Sequence, residues 1–174
     1  MRFINAEVHE AKVNKFWRWV GRVLVNRIAL PALAALFCSC ATIGPLPKVN
    51  LQEPGWTVRQ GQGVWHLAHG EREIAGDLIV ATAPEDRSFV QFSKTPFPLA
   101  VAQSEGTRWS VEFPPQNKHY AGRGKPPQRV IWFYLTRALS GKTLPPNWTW
   151  QQDAGQWQLT NQATGESIEG YFNQ

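Results

Sequence analysis

Two histidines and two glutamates lie on either side of Gly70, and their side chains are the first whose chemistry we consider. His66, His69, Glu71 and Glu73 carry imidazole and carboxylate groups, which hold metal ions in many proteins. The flanking Val, Ile and Trp residues predict strands, however, and residues three apart on a strand face opposite sides. We therefore expect a solvent-exposed hairpin end here rather than a metal site.

The other histidine and carboxylates that we considered indicate no catalytic arrangement. Asp77, Glu112 and Glu169 are scattered over separate predicted strands, so the sequence pairs no two of them as an acid and a base. His119 has no cysteine nucleophile near it. The segment Gly122-Arg-Gly124 runs into two prolines and does not open a helix as a phosphate-binding loop does. We predict that the chain is not an enzyme and needs no cofactor or metal.

The positive charge of the chain is concentrated in residues 1–39. Of the 18 basic and 13 acidic side chains, six and two respectively precede Cys40, which leaves 12 basic and 11 acidic residues from there onward. This balance removes the compositional support for nucleic-acid binding. Arg123, Lys125 and Arg129 form a local basic cluster that either meets a lipid phosphate or an acidic partner, or is simply a solvated helix start.

A short apolar run ends at two cysteines. The ten residues Ile28–Phe37 contain no charge, Arg22 and Arg27 precede them, and Cys38 and Cys40 follow on either side of a serine. This order is typical of a secretory signal, and the run is shorter than the roughly 20 residues that span a bilayer. The alternatives are an uncleaved anchor and cysteines that serve as apolar filling. A disulfide between cysteines two residues apart would be strained.

The residues from Leu36 to Cys40, LFCSC, resemble the lipobox of bacterial lipoproteins. The resemblance implies that residues 1–39 are a signal sequence and that Cys40 carries the lipid. Gly44, Pro45, Pro47 and Pro54 indicate a linker, so residues 40–54 are expected to form the lipidated N-terminus and linker. The resemblance also implies attachment to a bacterial membrane through this lipid. Ala41 lacks the aspartate that keeps enteric lipoproteins at the inner membrane, which favours the periplasmic face of the outer membrane.

Residues 1–24 make the start of this signal unusually long. Two interpretations remain open: either the basic region before the apolar run is long, or translation starts near Val23 or Val25 and Met1 is a misassigned start. We assign no function to this segment under either interpretation.

From Gly55 onward, apolar residues recur with the period of two that is typical of strands. Six short runs rich in Val, Ile, Phe and Trp come before the helix, separated by turn signals such as Gln60–Gly63. These runs are Trp56–Val58, Val64–Leu67, Ile74–Val80, Ser88–Phe92, Phe97–Val101 and Trp109–Phe113. We predict an antiparallel meander, in which residues 108–113 are the best-defined strand.

The segment 127–140 is predicted to be an α-helix. Pro126 and Pro127 suit its first turn, and Gly141 suits its C-terminal cap. Between them lies a wide apolar stripe. Three further strands are predicted after the helix, at residues 147–151, 156–160 and 166–172.

Residues 55–174 are therefore expected to form one mainly β domain: a strongly curved antiparallel sheet of about nine strands, an unclosed barrel, with the helix as a lid. Within it, GDLIVAT from Gly76, the helix VIWFYLTRALSG, and TGESIEGYF ending at Phe172 resemble the LolA/LolB family of lipoprotein carriers and receptors. The resemblance implies an apolar hollow for the acyl chains of lipoproteins and a periplasmic carrier protein as a partner. In that family an exposed leucine on an early loop serves membrane transfer, whereas the corresponding turn here, Ala83–Asp86, is polar.

Two sets of apolar side chains are predicted to enclose this hollow. Alternation along the strands predicts that one set of side chains faces inward. These are Phe97, Leu99, Val101, Trp109, Val111, Phe113, Trp157, Leu159 and Ile168. The helix contributes Trp132, Phe133 and Leu135 as a lid. The expected function is that of a membrane-anchored lipoprotein that binds an acyl chain or a lipoprotein. The alternative is a structural or accessory envelope lipoprotein in which these residues pack a filled core and the sheet docks a protein partner.

Overall fold

The computed structural model describes residues 44, 46–68 and 72–173. They form nine strands and one α-helix. The elements are β1 Thr57–His66, β2 Glu73–Ala83, β3 Arg87–Lys94, β4 Phe97–Glu105, β5 Arg108–Phe113, β6 Lys118–Arg123, α1 Ile131–Leu139, β7 Trp148–Asp153, β8 Gln156–Asn161 and β9 Ser167–Phe172. The predicted signal sequence and its lipidation site, Cys40, lie outside the described residues.

The nine strands pair in one antiparallel sheet in the order β6-β5-β4-β3-β2-β1-β9-β8-β7. β6 and β7 are its two edges, so the curved sheet is not closed into a barrel. The predicted mainly β fold, with about nine strands and one helix, is confirmed for this part of the chain. A helix with the length and apolarity needed to cross a membrane does not occur there.

Two of the nine strands differ from the predicted ones. Gln60–Gly63, predicted as a turn, lies inside β1, where Gly63 pairs with β9. A Cβ atom on Gly63 would lie 2.8 Å from the carbonyl oxygen of Glu169. The glycine therefore serves the close approach of β1 and β9 rather than a turn. β6 has the polar sequence KHYAGR and lies at the sheet edge, so apolar alternation does not predict it.

The inner face of the sheet packs against α1. The Trp132 side chain is 1% exposed, and its ring stacks on Phe92 with the ring centroids 5.2 Å apart. The same ring meets Trp65 edge-on at 5.0 Å. Seven of the nine residues of α1 are buried. A helix buried on nearly every side is part of the core of a domain rather than a loose cover.

α1 begins later than predicted and ends as predicted. The Val130 N–H donates to the carbonyl oxygen of Pro127 at 3.1 Å, so a separate turn occupies the residues that follow the two prolines. At the other end Gly141 has a φ of 65°, and the Lys142 N–H donates to the carbonyl oxygen of Arg137 at 2.9 Å. This is the Schellman arrangement, in which the left-handed residue is usually glycine.

Part of the predicted linker packs on the sheet. Leu46 is buried, and its carbonyl oxygen accepts a hydrogen bond from Nε2 of Gln103 at 3.1 Å. Gln103 follows Ala102 on β4, and Ala102 belongs to the core beneath α1. Because successive strand residues face opposite sides, Leu46 lies on the face of the sheet away from α1. The folded unit therefore includes residues before position 55.

Candidate functional site

A cavity of about 640 Å³ lies between α1 and the neighbouring ends of β2, β3, β4 and β5, and we call it the helix cavity. The side of α1 that lines it carries Phe133, Thr136, Arg137 and Ser140. Residues spaced three and four apart lie on one side of a helix, so these four form a continuous wall. Cavities of about 300–1,000 Å³ hold small ligands in proteins.

The helix cavity has an aromatic wall. The rings of Trp109 on β5 and Phe133 on α1 meet edge-on, with their centroids 5.8 Å apart. Gly122 lies opposite Trp109 on β6, and a Cβ atom there would lie 2.3 Å from Cζ2 of the indole. The glycine therefore lets the indole lie against the backbone of β6.

Cationic side chains surround this wall. The cavity is lined by the cations Arg87, Arg108, Lys125, Arg137 and Lys142, and by the single carboxylate of Asp86. Lys142 forms an ion pair with Asp86, and the hydrogen bond and charge of its ammonium lower the pKa of that carboxyl. One cation is thereby neutralised. The remaining cations give the helix cavity a positive potential, which favours an anionic group.

Two N–H donors of the helix cavity are buried without a partner. Nε of Arg108 and Nε1 of Trp109 are shielded from solvent and hydrogen-bond to nothing within the described part of the chain. An unpaired buried donor costs about 1–3 kcal/mol. Both residues line the cavity, so a shift of either side chain on binding would bring its unpaired donor to a carboxylate or phosphate oxygen held there.

The alternation predicted for β4 places the wrong residues inward. Phe97 is 69% exposed, and Val101 lies on the side of β4 away from the core. The buried residues are Ala100 and Ala102, while Leu99 is half-buried against the core. A β-bulge between β3 and β4 leaves Leu99 unpaired and inverts the alternation from Ala100 onward. Phe97 precedes the bulge and is exposed because it lies at the hairpin, where β4 begins. The prediction of Phe97 and Val101 as interior residues is therefore wrong.

The other predicted interior residues lie on the helix side of the sheet. Trp157, Leu159, Ile168 and Val111 are buried in the core, and Trp109 and Phe113 are half-buried against it. The predicted lid residues Trp132, Phe133 and Leu135 are also buried. Side chains thus pack tightly beneath the helix. Of these residues, Trp109 and Phe133 line the helix cavity, which lies to one side of that packed region.

The histidine and glutamate cluster spans the surface of three strands. Nδ1 of His66 is 3.6 Å from Glu73, and Nε2 of His66 is 3.5 Å from Glu169. His69 and Glu71 lie outside the described residues. No three His, Cys, Asp or Glu side chains gather as metal ligands among the residues whose structure is described. His66 thus links carboxylates of β2 and β9 across β1.

The carboxylates considered for catalysis occupy separate places. Asp77 and Glu169 each lie within hydrogen-bond distance of a glutamine amide, at 3.5 and 3.1 Å respectively. Glu112 and His119 lie directly opposite each other on β5 and β6. Sequence reasoning does not bring these two together, because apolar alternation does not predict β6. Strand pairing alone establishes no catalytic arrangement.

Glu166 is a partly buried carboxylate outside the helix cavity. Its Oε1 accepts a hydrogen bond from Nε1 of Trp65 at 2.8 Å. Burial raises the pKa of Glu166, and the hydrogen bond from Trp65 offsets part of that increase. An acid whose folded-state pKa lies above its unfolded value binds its proton more tightly when folded. The free energy of unfolding therefore falls as the pH rises from the unfolded-state pKa to above the folded-state pKa. It recovers as the pH falls through the same range.

The variant Glu166→Gln is expected to be more stable than the natural protein at neutral pH. The glutamine removes the buried charge but keeps an oxygen that can accept the Trp65 hydrogen bond. The gain should shrink as pH falls through the folded-state pKa of Glu166, because the natural side chain is then also neutral. Thermal unfolding of both proteins over a range of pH measures this. Glu105→Gln, at the exposed end of β4, is the control, and a gain that grows in acid would contradict the argument.

Neither a family model nor a curated protein matches this chain. The LolA/LolB resemblance therefore stays a proposal that depends on motifs and on the order of elements. The helix cavity is not evident from the sequence, because its cations come from well-separated parts of the chain. Of the predicted basic cluster, Lys125 lines the cavity, whereas Arg123 and Arg129 do not.

Proposed function

We propose that this chain is a lipid-anchored protein of the bacterial envelope that binds the acyl chain of an anionic amphiphile in the helix cavity. The observation that carries the proposal is an aromatic wall directly beside unpaired cationic and N–H groups, at Arg108 and Trp109. A fatty acid, or the acylated end of a lipoprotein close to a lipid phosphate, carries both an apolar chain for the aromatic wall and an anionic group for the cations and N–H donors.

The two parts of the ligand would be recognised by different forces. Each methylene group removed from water contributes about 0.8 kcal/mol, so the aromatic wall of Trp109 and Phe133 favours the chain. The cations that line the helix cavity favour the anionic head group, because hydrogen bonds to charged groups are stronger than those between neutral groups. Binding and release need no cofactor, since the ligand passes from a lower-affinity to a higher-affinity site.

An exposed aromatic residue supports contact with a membrane. Phe97 lies at the hairpin between β3 and β4, and most of its ring is open to solvent. A large apolar side chain at a hairpin can insert into the boundary between the head groups and acyl chains of a membrane. In the proposed function, Cys40 anchors the protein to the periplasmic face of the outer membrane, and a periplasmic carrier delivers the ligand. Phe97 then serves membrane transfer, the role of the exposed leucine in the LolA/LolB family, which the polar Ala83–Asp86 turn cannot fill.

Photo-crosslinking of a fatty acid that carries a diazirine tests the proposal. The full-length chain is held in lipid nanodiscs, and labelled peptides are mapped by mass spectrometry. We expect labels on the peptides that contain Trp109 and Phe133. Arg108→Glu and the surface variant Lys125→Glu should each lower labelling there by about tenfold, which corresponds to about 1.4 kcal/mol.

The control is Lys118→Glu, which reverses an exposed charge on β6 outside the helix cavity and should label like the natural protein. Circular dichroism of each variant checks that it is folded. Labels confined to peptides away from the helix cavity, or equal labelling in all variants, would contradict acyl-chain binding at this site.

The second candidate is a structural or accessory envelope lipoprotein that docks a protein partner. The tight packing beneath α1 favours it, since Trp132, Phe92 and Leu135 leave that region filled. It differs from the first candidate in needing no ligand. The crosslinking experiment separates the two, because a filled accessory protein has no reason to label at Trp109 and Phe133.

A further inference from the structure

A second cavity, of about 760 Å³, shares no lining residue with the helix cavity. We call it the glutamine cavity. It is formed by the middle of β1 and β9, the first part of β2, the end of β3 and the hairpin of β7 and β8. Its glutamines are Gln62, Gln151, Gln152, Gln156 and Gln158. A glutamine amide both donates and accepts hydrogen bonds, so five of them match a ligand that also does both at many points.

The charge of the glutamine cavity is opposite to that of the helix cavity. It is lined by the carboxylates of Asp77, Asp153 and Glu169 and by a single cation, Lys94. Excess negative charge disfavours phosphates, carboxylates and nucleic acids. The cavity therefore suits a neutral ligand whose hydroxyl groups donate hydrogen bonds to these carboxylates.

A hydrogen-bond network orients part of this lining. The Tyr171 hydroxyl donates to Oε1 of Gln62 at 2.8 Å, and the Gln62 amide lies 3.5 Å from Oδ1 of Asp77. The other oxygen of Asp77, Oδ2, accepts a hydrogen bond from the Thr95 hydroxyl. These contacts leave fewer rotamers to be ordered when a ligand binds. They thereby turn one wall into a fixed array of polar groups.

Other groups of the glutamine cavity stay free for a ligand. The side-chain amides of Gln151, Gln152 and Gln156 are exposed and hydrogen-bond no other side chain within the part of the chain that the structure describes. Tyr171 is 45% exposed, so its ring can pack against the C–H face of a sugar.

We propose that the glutamine cavity binds a neutral oligosaccharide. Sugar hydroxyls both donate and accept hydrogen bonds, as the glutamine amides do, and sugar rings carry apolar faces that pack on aromatic side chains. The proposal is independent of acyl-chain binding, because the two cavities share no residue and differ in charge. It adds a second ligand class to the same domain.

Isothermal titration calorimetry of the full-length chain, held in a detergent without a sugar head group, tests this. The neutral probes are cellotetraose and the N-acetylglucosamine tetramer, and a galacturonic acid tetramer is the anionic comparison. We expect saturable binding of at least one neutral probe and none of the anionic one. The double variant Gln151→Ala/Gln152→Ala, on exposed positions of β7, should bind about tenfold more weakly.

Tyr171→Phe removes one hydroxyl and provides a second variant, which should also weaken binding. Tyr120→Ala, an exposed aromatic residue outside both cavities, is the matched control and should bind like the natural protein. Failure of both neutral probes to bind, preference for the anionic probe, or unchanged affinity in both cavity variants would overturn the proposal. None of these results alters labelling in the helix cavity, so the two proposals fail separately.

Discussion

Trp132→Ala is expected to lower the free energy of unfolding by about 3–5 kcal/mol, the largest effect that we predict for a single substitution. The indole is almost completely buried between the rings of Phe92 and Trp65. Removing it forfeits those contacts and leaves a cavity that a sheet held by paired strands cannot collapse to fill. Urea unfolding of the variant and the natural protein, followed by circular dichroism, measures the difference.

Tyr120→Ala is the matched control for this experiment. Tyr120 is an aromatic residue on the edge strand β6, and nearly half of its surface is exposed. Its replacement should lower the free energy of unfolding by much less than Trp132→Ala does. A similarly small loss in Trp132→Ala would mean that α1 does not pack on the sheet in solution.

The second large effect is expected for Gly170→Ala, which should destabilise the protein by about 2–3 kcal/mol. Gly170 lies on β9 opposite Gly63 of β1, where the two backbones come unusually close. An added Cβ atom would lie 2.2 Å from the carbonyl oxygen of Gln62 and 2.9 Å from Cα of Gly63. Because both obstacles are backbone atoms, no side-chain rotation relieves the clash and the strands must separate.

Gly44→Ala provides the control for this prediction. Gly44 is exposed, and no heavy atom lies within 4 Å of the position that a Cβ atom would take. Its replacement should leave the denaturation midpoint almost unchanged. Equal stability of Gly170→Ala and Gly44→Ala would show that β1 and β9 are farther apart than their pairing indicates.

Local chemistry explains why much of the fold could be predicted. On β5 the apolar residues Trp109, Val111 and Phe113 alternate with polar ones, and all three pack against the core. Gly141 ends α1 because a left-handed residue is needed there. Such features depend on residues a few positions apart, so they can be read along the chain.

Features that depend on distant residues could not be predicted in this way. The bulge between β3 and β4 inverts the faces of β4 after Leu99, so Ala100 and Ala102 face the core although alternation predicts Val101 inward. The donors of Arg108 and Trp109 are notable only because the fold buries them without partners. Neither fact is present in any short segment.

The sequence by itself determined that the chain after residue 55 is mainly β with one helix, because strand and helix periods and turn residues are local properties. The tertiary structure alone decided which faces are buried, that β1 runs through its glycines to pair with β9, and that two cavities of opposite charge exist. The physical reason is that burial and electrostatic potential are sums over residues brought together by strand pairing. Their positions along the chain do not reveal those sums.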